Sequence, residues 1–532
     1  MQQHDDTLAI FRTCGRKNIA QDSERDCDYP AGPVDRSTSA LPPREGGAWH
    51  RMACALLLFV LVAIALRAHD FGNPVIHVDE QYYLLVGDRM LHGALPYVDF
   101  WDRKPLGLFL LFAGMRLLPG DGILAYQLSA TLFAALTAGL IALSARRLGA
   151  SRIGVIAGGC AYLLWLGYLS GRGGQSPVFY NLFMAAAGWL TLRLPALAAA
   201  RNGRAIVLQG AAACLLAGLA IQTKYTPVVE GAFFGLAHLW YLQRAETKTP
   251  QLAGAALLWA LLGLTPTLAA IAWYHAQGPA AFASFWFSNF ASVALRRGYP
   301  AAKIAGRLAG TTAQLSPFLV CAALSWRWHP RERRAELRVA FGWLAAALIG
   351  FAMIGAFFDH YALPLLVPFA IVAAPALGRS RQTLAASALA AALLFIVHGN
   401  IEPDDRATAR AATRILAAHA GHVGQGCPYV FAGDSVLYLL AHACVPTAYA
   451  FPSTLAYEAE QGATGIDEAA EVRRIMATRP PVVVTMAPPL APWNPHSLAV
   501  MAPLLARDYR LALNAPREES HLLVYVRRDL AR

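Results

Sequence analysis

With 532 residues, 56% of them hydrophobic and 15% charged, and a mean hydropathy of +0.40, the chain is too apolar for a string of soluble domains. A formal charge of +12 could point to nucleic acid, but Lys and Arg stand in short clusters between apolar runs, so membrane topology explains them and no nucleic-acid partner is expected. Eight cysteines are scattered with no C-x-x-C pair. Cys54, Cys160, Cys214 and Cys321 lie in or beside apolar segments as small packing residues, whereas Cys427 and Cys444, if outside the cytoplasm, could form a disulfide.

Residues 1–50 are polar, carry Pro30, Pro33, Pro42 and Pro43, and show no apolar periodicity, so they read as a disordered cytoplasmic tail. The first apolar run starts too late for a cleaved signal peptide, and Met52 offers an alternative start. A first span is expected at about 52–66, and further spans at 123–145, 153–169, 178–194, 205–221, 226–242, 253–273, 311–325, 339–357, 361–377 and 383–397. Between the first two lies a loop, 67–122, that concentrates carboxylates, a Lys-Arg pair and aromatic rings. Within it Tyr82, Tyr83, Val86, Met90 and Leu91 recur at roughly helical spacing. A second apolar helix after Pro105, ended by Pro119-Gly120, is too short to span comfortably.

With a cytoplasmic N-terminus and 106–118 lying in the interface, eleven spans result. The clusters Arg146/Arg147/Arg152, Arg193/Arg201/Arg204, Arg244/Lys248, 327–338 and Arg379/Arg381 then all fall on the cytoplasmic side, as the positive-inside rule requires. A spanning 106–118 would invert that pattern. One tension is the long loop 275–310, placed outside yet carrying Arg296, Arg297, Lys303 and Arg307 as functional charges, of which Arg296-Arg297 would bind lipid headgroups or a donor phosphate. Its aromatic stretch 283–290 reads as interface packing or as the border of a lipid entrance. Residues 399–532 alternate helix-like 406–420, 435–442 and 467–477 with strand-like 429–431, 482–485 and 522–526, the pattern of a small soluble α/β domain on the outer face.

Several residues of the loop carry chemistry. Asp79 suits the cap of a helix beginning at Glu80, and equally a general base at the membrane boundary. Lys104 and Arg103 are either snorkelling anchors or the cations that stabilise a phosphate whose tail lies in the bilayer. No convincing metal-ligand spacing occurs, although Asp79, Glu80, Asp102 and His360 could meet at a divalent ion.

The segments D-E-Q-Y-Y from Asp79 and G-A-L-P-Y-V-D-F-W-D-R-K-P-L from Gly93 resemble the first outer loop of the bacterial branch of the dolichyl-phosphate-mannose–protein mannosyltransferases and of the aminoarabinose transferases acting on lipid A. G-L-A-I-Q-T-K, ending at Lys224, and D-H-Y-A-L-P, from Asp359, resemble later elements of the same families. Leu106 departs from the pattern, which often has a second proline there. The resemblance implies an α-helical polytopic protein of C-type glycosyltransferase fold over 51–398, with amphipathic helices in the first outer loop; the small α/β domain over 399–532 rests on its own alternation of elements. It implies a cell-envelope transferase of the bacterial inner membrane that moves a sugar from a polyprenyl-phosphate donor to a hydroxyl on a glycan, lipid or protein. Asp79 would be the base with Glu80 in support; Lys104, Arg103 and Lys224 would meet the donor phosphate. Asp102 would orient the lysine or the loop, and Tyr82, His360 and Tyr361 would line the cleft. A lipid-linked-sugar transporter or flippase, which would carry charges deep inside several spans, and a non-catalytic membrane scaffold are the alternatives.

Overall fold

In lipid, an apolar run of about twenty residues can satisfy its backbone N–H and C=O groups within itself only by coiling into a helix. The computed structural model describes residues 46–296, 298–328, 333–398, 405–420 and 426–530. Most of the expected tail and Arg297 lie outside these residues; the end of that stretch instead begins the first helix. Helix α1 (Gly46–Arg67) is followed by two short helices, α2 (Val78–Leu91) and α3 (Leu106–Arg116). Then come α4 (Ile123–Arg147), α5 (Arg152–Tyr168), α6 (Ser176–Thr191), the short α7 (Leu194–Ala199), α8 (Gly203–Ile221) and α9 (Val228–Arg244). The second half holds α10 (Thr249–Ala276), α11 (Pro279–Trp286), α12 (Ala301–Trp328), α13 (Arg334–Met353), α14 (Leu366–Leu377) and α15 (Arg381–His398).

Each expected span falls mostly on a helix, although α13 stops at Met353, short of the expected 357, and among the described residues eight helices are long and apolar enough to cross a membrane. The other three expected spans, at α5, α9 and α15, are shorter than that or less apolar. Helix α3 has 11 residues, about 16 Å at 1.5 Å per residue, too short to span. It packs tightly on α2 instead: a Cβ on Gly87 would stand 2.7 Å from the backbone nitrogen of Ala113.

The long loop expected over 275–310 is mostly helical. Helix α12 starts at Ala301, because the polar Lys303 and Arg307 break the apolar run without breaking the helix. The aromatic stretch forms α11 and a π-turn, Phe287–Ala291, with the Phe285 ring stacked on Tyr274 at 4.5 Å.

The C-terminal part contains α16 (Arg406–Ala420), β1 (Tyr429–Val430), α17 (Val436–Leu440), α18 (Pro452–Ala456), α19 (Glu468–Ala477), β2 (Val482–Met486), α20 (Pro495–Asp508), β3 (Tyr509–Arg517) and β4 (Ser520–Arg527). The sheet runs β1-β2-β4-β3, parallel between β1 and β2 and antiparallel elsewhere. Strand β2 is buried throughout, and β4 buries Leu522, Val524 and Val526 on one face, the period-two pattern of a half-covered strand. Strand β3 was not expected. It is the edge strand, where Pro516 is tolerated, and its hairpin turns through Glu518 at φ +52° without the usual Gly or Asn signal. Cys427 and Cys444 are disulfide-bonded.

This α/β part sits directly on the first loop. The Gln81 amide donates to Asp434 at 2.9 Å, and Arg89 donates to the Ala443 carbonyl at 2.8 Å. The Trp101 N–H donates to Ala448 O at 2.8 Å, and Arg517 to Val75 O at 2.9 Å.

Candidate active site

The local fold of α2 decides which carboxylate is available. His77, not Asp79, caps this helix: its Nδ1 accepts the Asp79 N–H at 3.3 Å. The Asp79 carboxylate, relieved of capping, turns into a cavity of about 980 Å³. There its Oδ1 lies 3.7 Å from Lys104 Nζ, and its Oδ2 accepts a hydrogen bond from the Gln175 amide at 3.2 Å. Burial works against the charged carboxylate, but Lys104, followed by the flanking histidines and Gln175, holds it well below the usual range. Asp79 is an anion throughout the physiological pH range.

Lys104 is aimed by its own turn. Asp102 Oδ1 accepts the N–H groups of Arg103 at 2.5 Å and Lys104 at 3.1 Å, and the Tyr97 hydroxyl donates to the Lys104 carbonyl at 2.7 Å. Burial raises the Asp102 carboxyl. Burial alone would lower Lys104, but Tyr83, Asp79 and Asp102 around it raise it well above its ordinary value, so it stays an ammonium. Its Nζ lies 5.2 Å from the centre of the Tyr83 ring.

Lys224 lies in the same cavity because the chain leaving α8 packs on the start of α3. A Cβ on Gly107 would stand 2.7 Å from Gln222, so only glycine lets the two meet. The Lys224 ammonium rests 4.4 Å over the Tyr361 ring, and burial, aided by Lys104, lowers it to about 7. The His360 ring meets His77 edge-on at 5.5 Å and Tyr361 at 4.6 Å. Burial lowers His77 to about 4, so it is neutral beside Asp79.

Two expected site residues lie behind the wall. Glu80 is fully buried, accepting the Gly174 N–H and the Tyr126 hydroxyl, the latter at 3.2 Å. Burial pushes its carboxyl up to about 8, so at neutral pH it is no second anion. With Arg67, which donates to Gly171 O at 2.6 Å, it pins the loop that presents Gln175. Tyr82 is buried, its hydroxyl on Trp101 O at 3.0 Å; the next residue, Tyr83, lines the cavity instead. The correction has one cause: α2 is enclosed on nearly every side, so its apolar spacing does not mark the face toward the cavity.

Arg103 does face the cavity, but it is engaged by Glu460 at 2.7 Å, Ser292 Oγ at 3.2 Å and Ala463 O at 3.1 Å. Asp79, Asp102 and His360 do not converge as ion ligands: among the described residues no group of three or more His, Cys, Asp or Glu could hold a metal. Sequence reading missed Gln175, His77, Tyr83 and Glu460. The S-G-R-G-G-Q run before α6 was the one signal for Gln175, since a Cβ on Gly173 would collide with Glu80.

A helical membrane body, a first loop with Asp79 on one short helix and Lys104 in the turn before the next, and an α/β cap that closes over them constitute the C-type glycosyltransferase fold. Two crystal structures of ArnT from Cupriavidus metallidurans share it. The one bound to undecaprenyl phosphate matches with a TM-score of 0.56 at 15% identity, and the one in the apo state with 0.58 at 16%. Each match covers 90% of this chain and 98% of the ArnT chain, and at this identity the likeness is one of fold. No family model and no curated protein sequence matches the chain.

Proposed function

We propose that this chain is a membrane glycosyltransferase that moves a sugar from a polyprenyl-phosphate donor to a hydroxyl acceptor at the outer face of the bacterial inner membrane. One observation carries the reading: Asp79 and Lys104, far apart in sequence, face each other at 3.7 Å in a large cavity that also holds Lys224. The shared fold and the undecaprenyl phosphate bound by ArnT support it. The disulfide between Cys427 and Cys444 supports the outer face, since such bonds persist in oxidising compartments.

The donor phosphate enters beside Lys104 and Lys224 and draws the Lys104 ammonium toward itself. Asp79, losing its cation, becomes a stronger base. It takes the proton of the acceptor hydroxyl as that oxygen attacks the anomeric carbon from the face opposite the phosphate. The carbon–oxygen bond to phosphate breaks, the electron pair stays on the phosphate oxygen, and the two lysines hold the resulting charge; the anomeric configuration inverts. Gln175 keeps the Asp79 carboxylate oriented through the hydrogen bond at 3.2 Å.

The test is transfer of label from a radiolabelled polyprenyl-phosphate sugar in membranes containing the full chain. Asp79→Asn removes the base and is expected to lower transfer by about 10²–10⁴-fold. Lys104→Ala removes a charge-stabilising contact and is expected to cost about 10²–10³-fold. Both variants should insert and fold normally. Undiminished transfer by either would refute that residue's role, and label that crosses the bilayer unchanged would identify a transporter.

A further inference from the structure

Glu460 is a buried carboxylate that the transfer reaction does not use. Its two oxygens are divided between two guanidiniums: Oε2 lies 2.7 Å from Arg103 and Oε1 lies 3.0 Å from Arg296. All three residues line the cavity that holds Asp79 and Lys104. The Glu460 side chain is 8% exposed, against 16% for Arg103 and 32% for Arg296. Arg103 does not depend on Glu460 for its place, because Ser292, Ala463 and the Trp101 ring, 4.6 Å away, also hold it. Glu460 itself stands on a single 3-10 turn, Glu458–Glu460, just before Gly462 at φ +76°.

We propose that Glu460 is an internal competitor of a phosphate: its carboxylate occupies the phosphate-binding face of Arg103 and Arg296, the two arginines the sequence already offered to a phosphate or headgroup, while no ligand is bound. Two guanidiniums left facing a partly buried cavity without a counter-charge would be strongly unfavourable. A carboxylate with one oxygen on each arginine imitates the way a phosphate spans two such groups. An incoming phosphate competes with Glu460 for the same donors, so the carboxylate stabilises the empty site and weakens ligand binding to it. The phosphate would come from the lipid-linked donor or from an anionic acceptor. The donor source rests on the function proposed above; the competition between Glu460 and an anion for the two arginines does not.

The experiment compares the detergent-purified full chain with Glu460→Gln, which keeps the shape of the side chain and removes its charge. Binding is read by tryptophan fluorescence with three probes: a short-chain polyprenyl phosphate, the corresponding alcohol, and inorganic phosphate. E460Q is expected to bind a phosphate probe about five- to twentyfold more tightly, with the alcohol unchanged. Tightening of the polyprenyl phosphate assigns the subsite to the donor; tightening of inorganic phosphate alone assigns it to the acceptor side. Unchanged or weaker binding of both phosphates overturns the proposal and leaves Glu460 as a structural clamp. Arg296→Gln added to E460Q should abolish the gain, which a merely loosened fold would not do. A wild-type chain that binds no polyprenyl phosphate defeats the donor reading, and the inorganic phosphate titration then decides the subsite.

Discussion

Lys224 holds its charge least firmly among the cavity lysines, at about 7 against 10.5 for a free side chain, because burial and the nearby Lys104 oppose it. A phosphate placed beside it would favour the ammonium, so binding takes up a proton wherever the unliganded chain has lost one. The sign follows: affinity for a polyprenyl-phosphate sugar is full below pH 7 and falls as pH rises above it, by up to about tenfold per unit. A polyprenyl-phosphate sugar is a phosphodiester and has no group of its own titrating there. Lys224→Arg, which stays charged, should flatten the profile. A wild-type Kd unchanged between pH 6 and pH 9 would remove Lys224 from the phosphate site. His77, lowered to about 4, contributes no slope over that range, and Glu80, at about 8 behind the wall, titrates alike in the wild type and in Lys224→Arg, so the difference between the two profiles isolates the lysine.

Helix α3 joins the two lysines at the scale of elements. Its first turn carries Gly107 against Gln222, and this close approach sets the distance between the Lys104 turn and the Lys224 loop. Gly107→Ala should therefore push the two apart, destabilising the fold by about 1–3 kcal/mol and weakening donor binding. Gly114, on the same helix, has nothing within 4 Å of an added Cβ. Gly114→Ala should be neutral or stabilising by about 0.5–1 kcal/mol, with activity retained. The pair is checked by thermal unfolding in detergent together with donor titration; equal effects at both positions would mean that the contact at Gly107 does not set the site. The short helices α2 and α3 were legible from apolar spacing and from Pro105 and Pro119-Gly120. The orientation of α2 was not, since residues from Glu80 to Asp88 are all buried and no polar stripe marks an outside.

Over the whole molecule, the α/β part and the first loop share one buried network. Arg517 reaches Asp434 at 2.8 Å, Asp405 at 2.9 Å and the Val75 carbonyl at 2.9 Å, while Gln81, on the same helix as Asp79, also donates to Asp434. Arg517→Met would leave two buried carboxylates without their cation, a loss of about 3–5 kcal/mol. It should lower the Tm and reduce transfer together, because the helix that carries Asp79 loses its anchor. A variant with a lowered Tm but unaltered kcat would show that the network only stabilises. Asp405, Asp434 and Arg517 are scattered single charges in a domain where α18, α20 and β3 also went unread in the sequence.

Sequence alone determined the helical membrane body, its order of spans, the α/β character of the C-terminal part, and the two motifs that bring Asp79 and Lys104. Those are local properties: apolar period, cluster spacing and turn residues are written along the chain. Tertiary structure decided that Asp79 rather than Glu80, and Tyr83 rather than Tyr82, face the cavity. It also decided that Gln175 and Glu460 belong there and that α12 begins well before its apolar run. Which side of an enclosed helix meets an empty space depends on packing against elements hundreds of residues away, and no local pattern records it.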